Sequence, residues 1–204
     1  MGKNARIDHC SVSGGIVSAE GKQWAYGGGL TASLYLDAYL TNCWTDVTVQ
    51  VKSANGLCSA GGLAATNSNG SMIANCAALG DVTAISGYTT SSKVSASVGG
   101  LVGQATGMFH NCYAAGNVAL TMAITPDEPA VGSLIGQMST SRSYNGIVTD
   151  CRFNSKASVT VNGTAGAAAA FGDLVSGDTN NVAGADTSGA AFIDTMNHGL
   201  TAEG

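Results

Sequence analysis

Five of the six cysteines sit in one repeating context: Asp8-His9-Cys10, Thr41-Asn42-Cys43, Ala74-Asn75-Cys76, His110-Asn111-Cys112 and Thr149-Asp150-Cys151, at intervals of 33, 33, 36 and 39 residues. Thiols can ligate zinc, close disulfides or act as nucleophiles. A zinc site needs cysteines in close pairs, such as two separated by two residues, and the chain has none. Intervals this long and this regular instead stack like on like. Stacked cysteines would lie ~4.8 Å apart, within reach of a disulfide, but parallel in-register side chains rarely attain the required dihedral. The expectation is an interior ladder of free thiols, Cys10, Cys43, Cys76, Cys112 and Cys151, packing as small hydrophobes. The preceding Asn42, Asn75, Asn111 and Asp150 would form a turn-side ladder, and Cys58, outside the register, another packed thiol.

Carboxylates are the other candidates for chemistry, because polysaccharide-cleaving enzymes set two of them on one face. Asp46 is three residues after its cysteine and Asp81 five, and the position of Asp81 is held by Asn117 in the next unit and Lys156 in the one after. No column therefore holds two carboxylates, while Asp37 and Asp127-Glu128 fall in loops of different units. The histidines, His9, His110 and His198, are far apart in sequence, and no His-Glu-x-x-His occurs. Residues 177–186 offer oxygen ligands at short spacing that would suit calcium, but without a closing bidentate Glu they read as a turn-rich segment. Gly27-Gly28-Gly29 lacks the Lys-Ser/Thr of a phosphate loop. No catalytic residue, metal site or cofactor is expected. Among the aromatics, Trp44, Tyr113, Tyr144 and Phe153 lie in or near the repeat strands, and any that alternation turns outward could stack on sugar rings.

The elements that must position these residues follow from the repeat. A second landmark keeps step with the cysteines, at Gly28-Gly29-Leu30, Gly61-Gly62-Leu63, Gly99-Gly100-Leu101 and Gly132-Ser133-Leu134. A third follows each cysteine: Val47-Thr48-Val49, Val82-Thr83-Ala84, Val118-Ala119-Leu120 and Val159-Thr160-Val161. The runs are short, alternating and bounded by Gly, Ser, Asn and Asp, which is how strands read. Helical arrays would need long runs of 3.6 period, and propeller blades a blade signature, neither of which is present. An all-β parallel β-helix, a β-solenoid of about five coils with three sheets, is the predicted fold. It forms one domain over residues 1–204, with repeat units over about 7–175 and a short C-terminal cap over about 176–204.

Composition agrees. Charged residues make up 10% of the 204-residue chain against ~25% in an average soluble protein, and about half the chain is Gly, Ala, Ser or Thr. Eight Lys and Arg and a net charge of −5 give no footprint for nucleic acid or anionic lipid. No apolar run reaches the ~18 residues of a spanning helix, so membrane insertion is not expected. Met1-Gly2-Lys3-Asn4 lacks the core of a signal peptide, yet the first unit begins part-way through a repeat by Ile7, which reads as a piece excised from a larger protein.

Gly99-Gly100-Leu101-Val102-Gly103, running on to Phe109-His110-Asn111-Cys112-Tyr113-Ala114-Ala115-Gly116-Asn117-Val118, resembles the GLUG motif of bacterial surface proteins. Ala74-Asn75-Cys76-Ala77-Ala78-Leu79-Gly80-Asp81-Val82 keeps most of its second half; the units at Cys43 and Cys151 keep little beyond the Asn/Asp-Cys pair. The resemblance covers roughly residues 7–197, with Asn180-Asn181-Val182 where another Asn-Cys would stand and residues 191–197 as a helical tail. It implies a right-handed parallel β-helix in large exported proteins, including adhesin-like proteins and immunoglobulin-A-degrading peptidases, with no catalytic residues in the motif itself. The function so implied is a non-enzymatic module at the bacterial cell surface, an extracellular location, binding host or neighbouring-cell glycans or proteins. The alternatives are a self-associating filament, fibre or spike subunit and a carbohydrate-active enzyme. Residues 121–129 and 136–146 hold the insertions that stretch the period, and are the expected specificity loops.

Overall fold

The computed structural model describes residues 2–89, 96–124, 129–139 and 146–185, and among these there are 25 short strands and no helix. Successive strands pair with their equivalents one repeat away, so the chain is an all-β solenoid of about five parallel turns. The first sheet takes the strand before each cysteine: Arg6–Asp8, Tyr39–Thr41, Met72–Ala74, Met108–His110, Ile147–Thr149 and Asp178–Asn180. The second follows the cysteine, with Ser11–Gly21 and Trp44–Ser53 long and continuous and later coils broken into two pieces, such as Ala77–Ala78 and Val82–Ser86. The third holds Trp24–Gly28, Leu57–Gly61, Ala96–Gly99 and Ala130–Gly132; the fourth Thr31–Leu34, Ala64–Asn67, Val102–Ala105, Ile135–Met138 and Phe171–Leu174.

Four sheets stand where the sequence reading has three. The Asn-Cys and Gly-Gly landmarks lie at breaks between strands, so each splits in two a run that looks continuous. The cross-section is also pinched. One core contains Leu40, Ile73, Phe109 and Val148 with Leu34, Leu63, Leu101 and Leu134; the other holds Val49, Val51, Val82, Val118 and Leu120 against Cys58, Ala60, Ala96 and Val98. Between them the glycine pairs turn inward onto the second sheet. A Cβ on Gly62 would stand 2.6 Å from that of Ala78 and 2.3 Å from the Gly100 carbonyl; one on Gly100 would stand 3.0 Å from the Ala114 Cβ. Thr45 fixes the pinch with a hydroxyl donating to the Gly62 carbonyl at 2.8 Å. These glycines have ordinary φ; it is space they supply.

The last coil is irregular. In place of a third-sheet strand, Thr164–Gly166 doubles back antiparallel on Val159–Val161 through Asn162-Gly163, both at positive φ. Rung pairing nevertheless continues in the first two sheets through Ala183–Ala185, beyond residue 176 where the cap is expected to begin. The helical tail expected over 191–197 lies outside the described residues. The first coil carries a bulge: Gly14 and Gly15, at φ 73° and 89°, shift the register of Ser11–Gly21 on its neighbour, bending an edge strand.

Candidate binding face at the asparagine corner

The corner between the first and second sheets is built from the residue pair that recurs most strictly. His9, Asn42, Asn75, Asn111, Asp150 and Asn181 all adopt φ between 49° and 54°, the left-handed region in which Asn and Asp are the usual non-glycine occupants. This turn swings the chain from one sheet to the next and puts each side chain above its neighbour. The amides then link: Asn111 Nδ2 donates to Asn75 Oδ1 at 2.9 Å, Asn75 to Asn42 at 3.2 Å, and Asn42 to the Asp8 carboxylate at 2.9 Å. Asp8 also accepts the Thr41 hydroxyl at 2.7 Å and faces His9 Nδ1 at 2.8 Å. Led by the Thr41 and Asn42 hydrogen bonds, this cluster lowers the Asp8 pKa to about 2. A separate link joins Asn181 Nδ2 to Asp150 at 2.5 Å.

The next residue holds the turn from inside. The thiols of Cys43, Cys76, Cys112 and Cys151 donate to the carbonyl two residues back at 3.0 to 3.2 Å. The backbone N–H groups of Cys10, Cys43 and Cys112 donate to the sulfur one rung on at 3.3 to 3.4 Å. Cysteine thus serves as a donor and acceptor that fits a small apolar slot. Burial pushes the Cys76 thiol up to about 12 and the Cys112 thiol well above its ordinary value, so these sulfurs keep the proton they donate. Cys58, buried in the other core, is likewise pushed up to about 12. All six cysteines are free. Cys10 departs from the expected interior ladder: it is exposed, because no described rung covers that side of the first coil.

Outside this corner lies a groove of about 410 Å³ lined by His9, Asn42, Asn75, Asn111, Trp44, Ala77 and Leu79, with Cys43 and Cys76 at its base. Its hollow has a simple origin. Trp44 and Ala77 occupy one column, and the small methyl of Ala77 leaves room beside the indole. Trp44 is 42% exposed and Leu79 41%, so one wall is aromatic, the other aliphatic, and the rim carries the amides of the ladder. Such a site can stack a flat apolar ring face and offer amide donors and acceptors at its edge.

Not every residue singled out in the sequence reaches this face. Tyr113 is 3% exposed and Phe153 8%, and Phe153 packs into the first core, so neither presents a ring to a ligand. Tyr144 lies outside the described residues, as do parts of both candidate specificity loops. Leu79 was missed, although alternation from the buried Ala78 places it outward; so was Trp24 on the first coil, the most exposed large aromatic among the described residues. Among the described residues the candidate carboxylates Asp46 and Asp81 stand in different columns, while Asp127 and Glu128 lie outside those residues. Asp46 pairs in register with Ser13, while Asp81 accepts from the Asn117 backbone and side chain at 2.8 and 3.0 Å. Beyond Asn117 the column continues with Ser158 rather than Lys156, because two extra residues enter the turn before Val159. Among the described residues no three His, Cys, Asp or Glu side chains converge as a metal site.

A stack of parallel coils keyed by ladders at fixed corners defines the class: a β-solenoid repeat protein. Within it, residues 56–83 and 94–119 each match the GLUG motif, so two of the repeats carry that motif. Each match runs from the third sheet through the glycine pinch and the fourth and first sheets to the strand after the cysteine. A crystal structure of a candidate immunoglobulin A1 protease from Bacteroides ovatus superposes with a TM-score of 0.66 at 23% identity, over 95% of this chain and 52% of that one. The likeness is one of fold, and this chain spans about half the length of that protein. No curated protein matches the sequence.

Proposed function

We propose that this chain is a non-enzymatic module of an exported bacterial surface protein, and that its asparagine corner contacts a glycan on a host or neighbouring cell. The groove between Trp44 and Leu79, rimmed by Asn42, Asn75 and Asn111, carries the reading: an indole wall beside amides is the chemistry that holds a pyranose ring by its apolar face and its hydroxyls. The GLUG repeats, typical of extracellular proteins, and the neutral surface fit an exported setting. The solved neighbour is named for a protease of host immunoglobulin, which suits a host-facing location, but its fold likeness carries no activity over to this chain.

The test is a glycan-array screen of the 204-residue chain, followed by titration of any hit against wild type, Trp44→Ala and Trp24→Ala. Binding lost in Trp44→Ala and kept in Trp24→Ala is the expected result. Binding that survives Trp44→Ala, or a blank array, would overturn the assignment of this groove to glycans.

A further inference from the structure

The outer columns of the second sheet change residue at every rung, unlike the cysteine and asparagine columns beside them. One runs Ser11, Trp44, Ala77, Tyr113, Arg152, and the one two residues on runs Ser13, Asp46, Leu79. Stacking does not dictate these residues, so their choice bears on what lies outside. Trp44 and Asp46 fall on one strand with Thr45 buried between them, and both side chains point outward. They stand ~7 Å apart along the strand; one rung on, ~4.8 Å away, Ala77 lies beside the indole and Leu79 beside the carboxylate. The hollow over Ala77 is thus bounded by an indole, an aliphatic chain and, diagonally across, a carboxylate that a substituent on a seated ring can reach.

The charge around this hollow has one sign. Asp46 is exposed and makes no hydrogen bond or ion pair among the described residues. Asp8 stands on the opposite rim, held by Thr41 and Asn42, and its lowered pKa keeps it ionised. His9 faces that carboxylate at 2.8 Å, so a proton it takes up is offset there. Among the described residues no lysine or arginine lines the groove; Arg6 lies over the Tyr39 ring at 4.7 Å and Arg152 donates to Asn181.

Resting on the glycan reading above, we propose that the groove selects an amino sugar with a free ammonium group, its ring stacked on Trp44 and its ammonium on the Asp46 carboxylate, and disfavours uronates and sialic acids. An ammonium brings three donors and a charge to a carboxylate that has no partner of its own, and the bond so formed is of the stronger, charge-assisted kind. N-acetylation of the same nitrogen removes the charge and two of the donors while leaving the ring face unchanged. A sugar carboxylate meets Asp46 and Asp8 with nothing to neutralise it.

The test titrates the 204-residue chain with three tetrasaccharides, of β-1,4-linked glucosamine, of its N-acetylated counterpart and of galacturonate, following the Trp44 indole N–H resonance. The Trp24→Ala variant assigns that resonance. Glucosamine is expected to bind at least about fivefold more tightly than the N-acetylated sugar, with no binding of galacturonate. Asp46→Asn should bring the first two to within about twofold of each other, while Asp178→Asn, on the last coil, keeps the preference at the same net charge. Equal or tighter binding of the N-acetylated sugar or of galacturonate, or a preference that survives Asp46→Asn, overturns the amino-sugar assignment and leaves the glycan reading standing. If neither these sugars nor any on the array move Trp44, the glycan reading falls and this inference with it.

Discussion

Two of the turns between sheets carry the recurring landmarks of the repeat, and they bend the chain in opposite ways. The asparagine corner uses side chains: a left-handed φ, an amide linked to the next rung, and a thiol that ties the turn from within. The glycine pinch uses the absence of side chains, with ordinary φ and no room for a Cβ between two layers of backbone. One corner is therefore limited by conformation and hydrogen bonding and the other by volume. Identical substitutions should read differently at the two.

The largest effect is expected at the pinch. Gly62→Ala drives a Cβ into the Gly100 carbonyl and Ala78, and should cost about 3 kcal/mol, measured as a fall in the urea midpoint. At the other corner, Cys76→Ala leaves the buried Cys43 N–H and the Ala74 carbonyl without their sulfur partner, for about 2 kcal/mol. Cys76→Ser, which keeps a donor and an acceptor, should recover about half of that. Asn75 separates the two mechanisms most sharply. Asn75→Gly accepts the φ of 53° and loses only the amide links, whereas Asn75→Ala loses both, so the alanine variant should be the less stable by about 1 kcal/mol. A change of similar size and opposite sign is expected at Ser133, which replaces the second glycine in the fourth coil and buries a hydroxyl with no partner among the described residues. Ser133→Ala removes that hydroxyl without altering the backbone and should stabilise by about 1 kcal/mol.

The pH dependence of the amide ladder sharpens the comparison further. Asp8 titrates at about 2, below its unfolded value of about 4, so its contribution is complete above the unfolded pKa and is lost as pH falls through the folded one. The Asn42 side-chain amide resonances should follow it with a midpoint near 2, while amides in the third sheet, at the pinch, stay flat; movement of both together would show that the corners are not independent.

How much of this was legible in the sequence depends on what carried it. Residues fixed by stacking announced themselves, because a role repeated on every rung repeats its residue: Asn42, Asn75 and Asn111, and Gly28, Gly61 and Gly99. The shape of the cross-section did not. That the glycine pair turns inward against Thr45, Ala78 and Ala114 depends on residues distant in sequence, whose small size looks like ordinary strand filler. Tyr113 and Phe153 show the same limit. Tyr113 shares the outward column of Trp44 and is nonetheless buried, so its neighbours rather than its phase decide its exposure. Ala77, which shapes the groove by being small, carries no signal at all.

The interval between cysteines grows from 33 to 39 residues, yet the pairing of Val82 with Val118, and of Val118 with Val159, is unbroken. Extra residues enter between strands, in the segments that follow Ser86, Met122 and Met138, and the strands on either side keep their partners. Length is thereby uncoupled from register. A scaffold of this kind can be edited as a bookshelf is refilled: a new peptide inserted at one of these three joints alters what the module displays and leaves every shelf where it was.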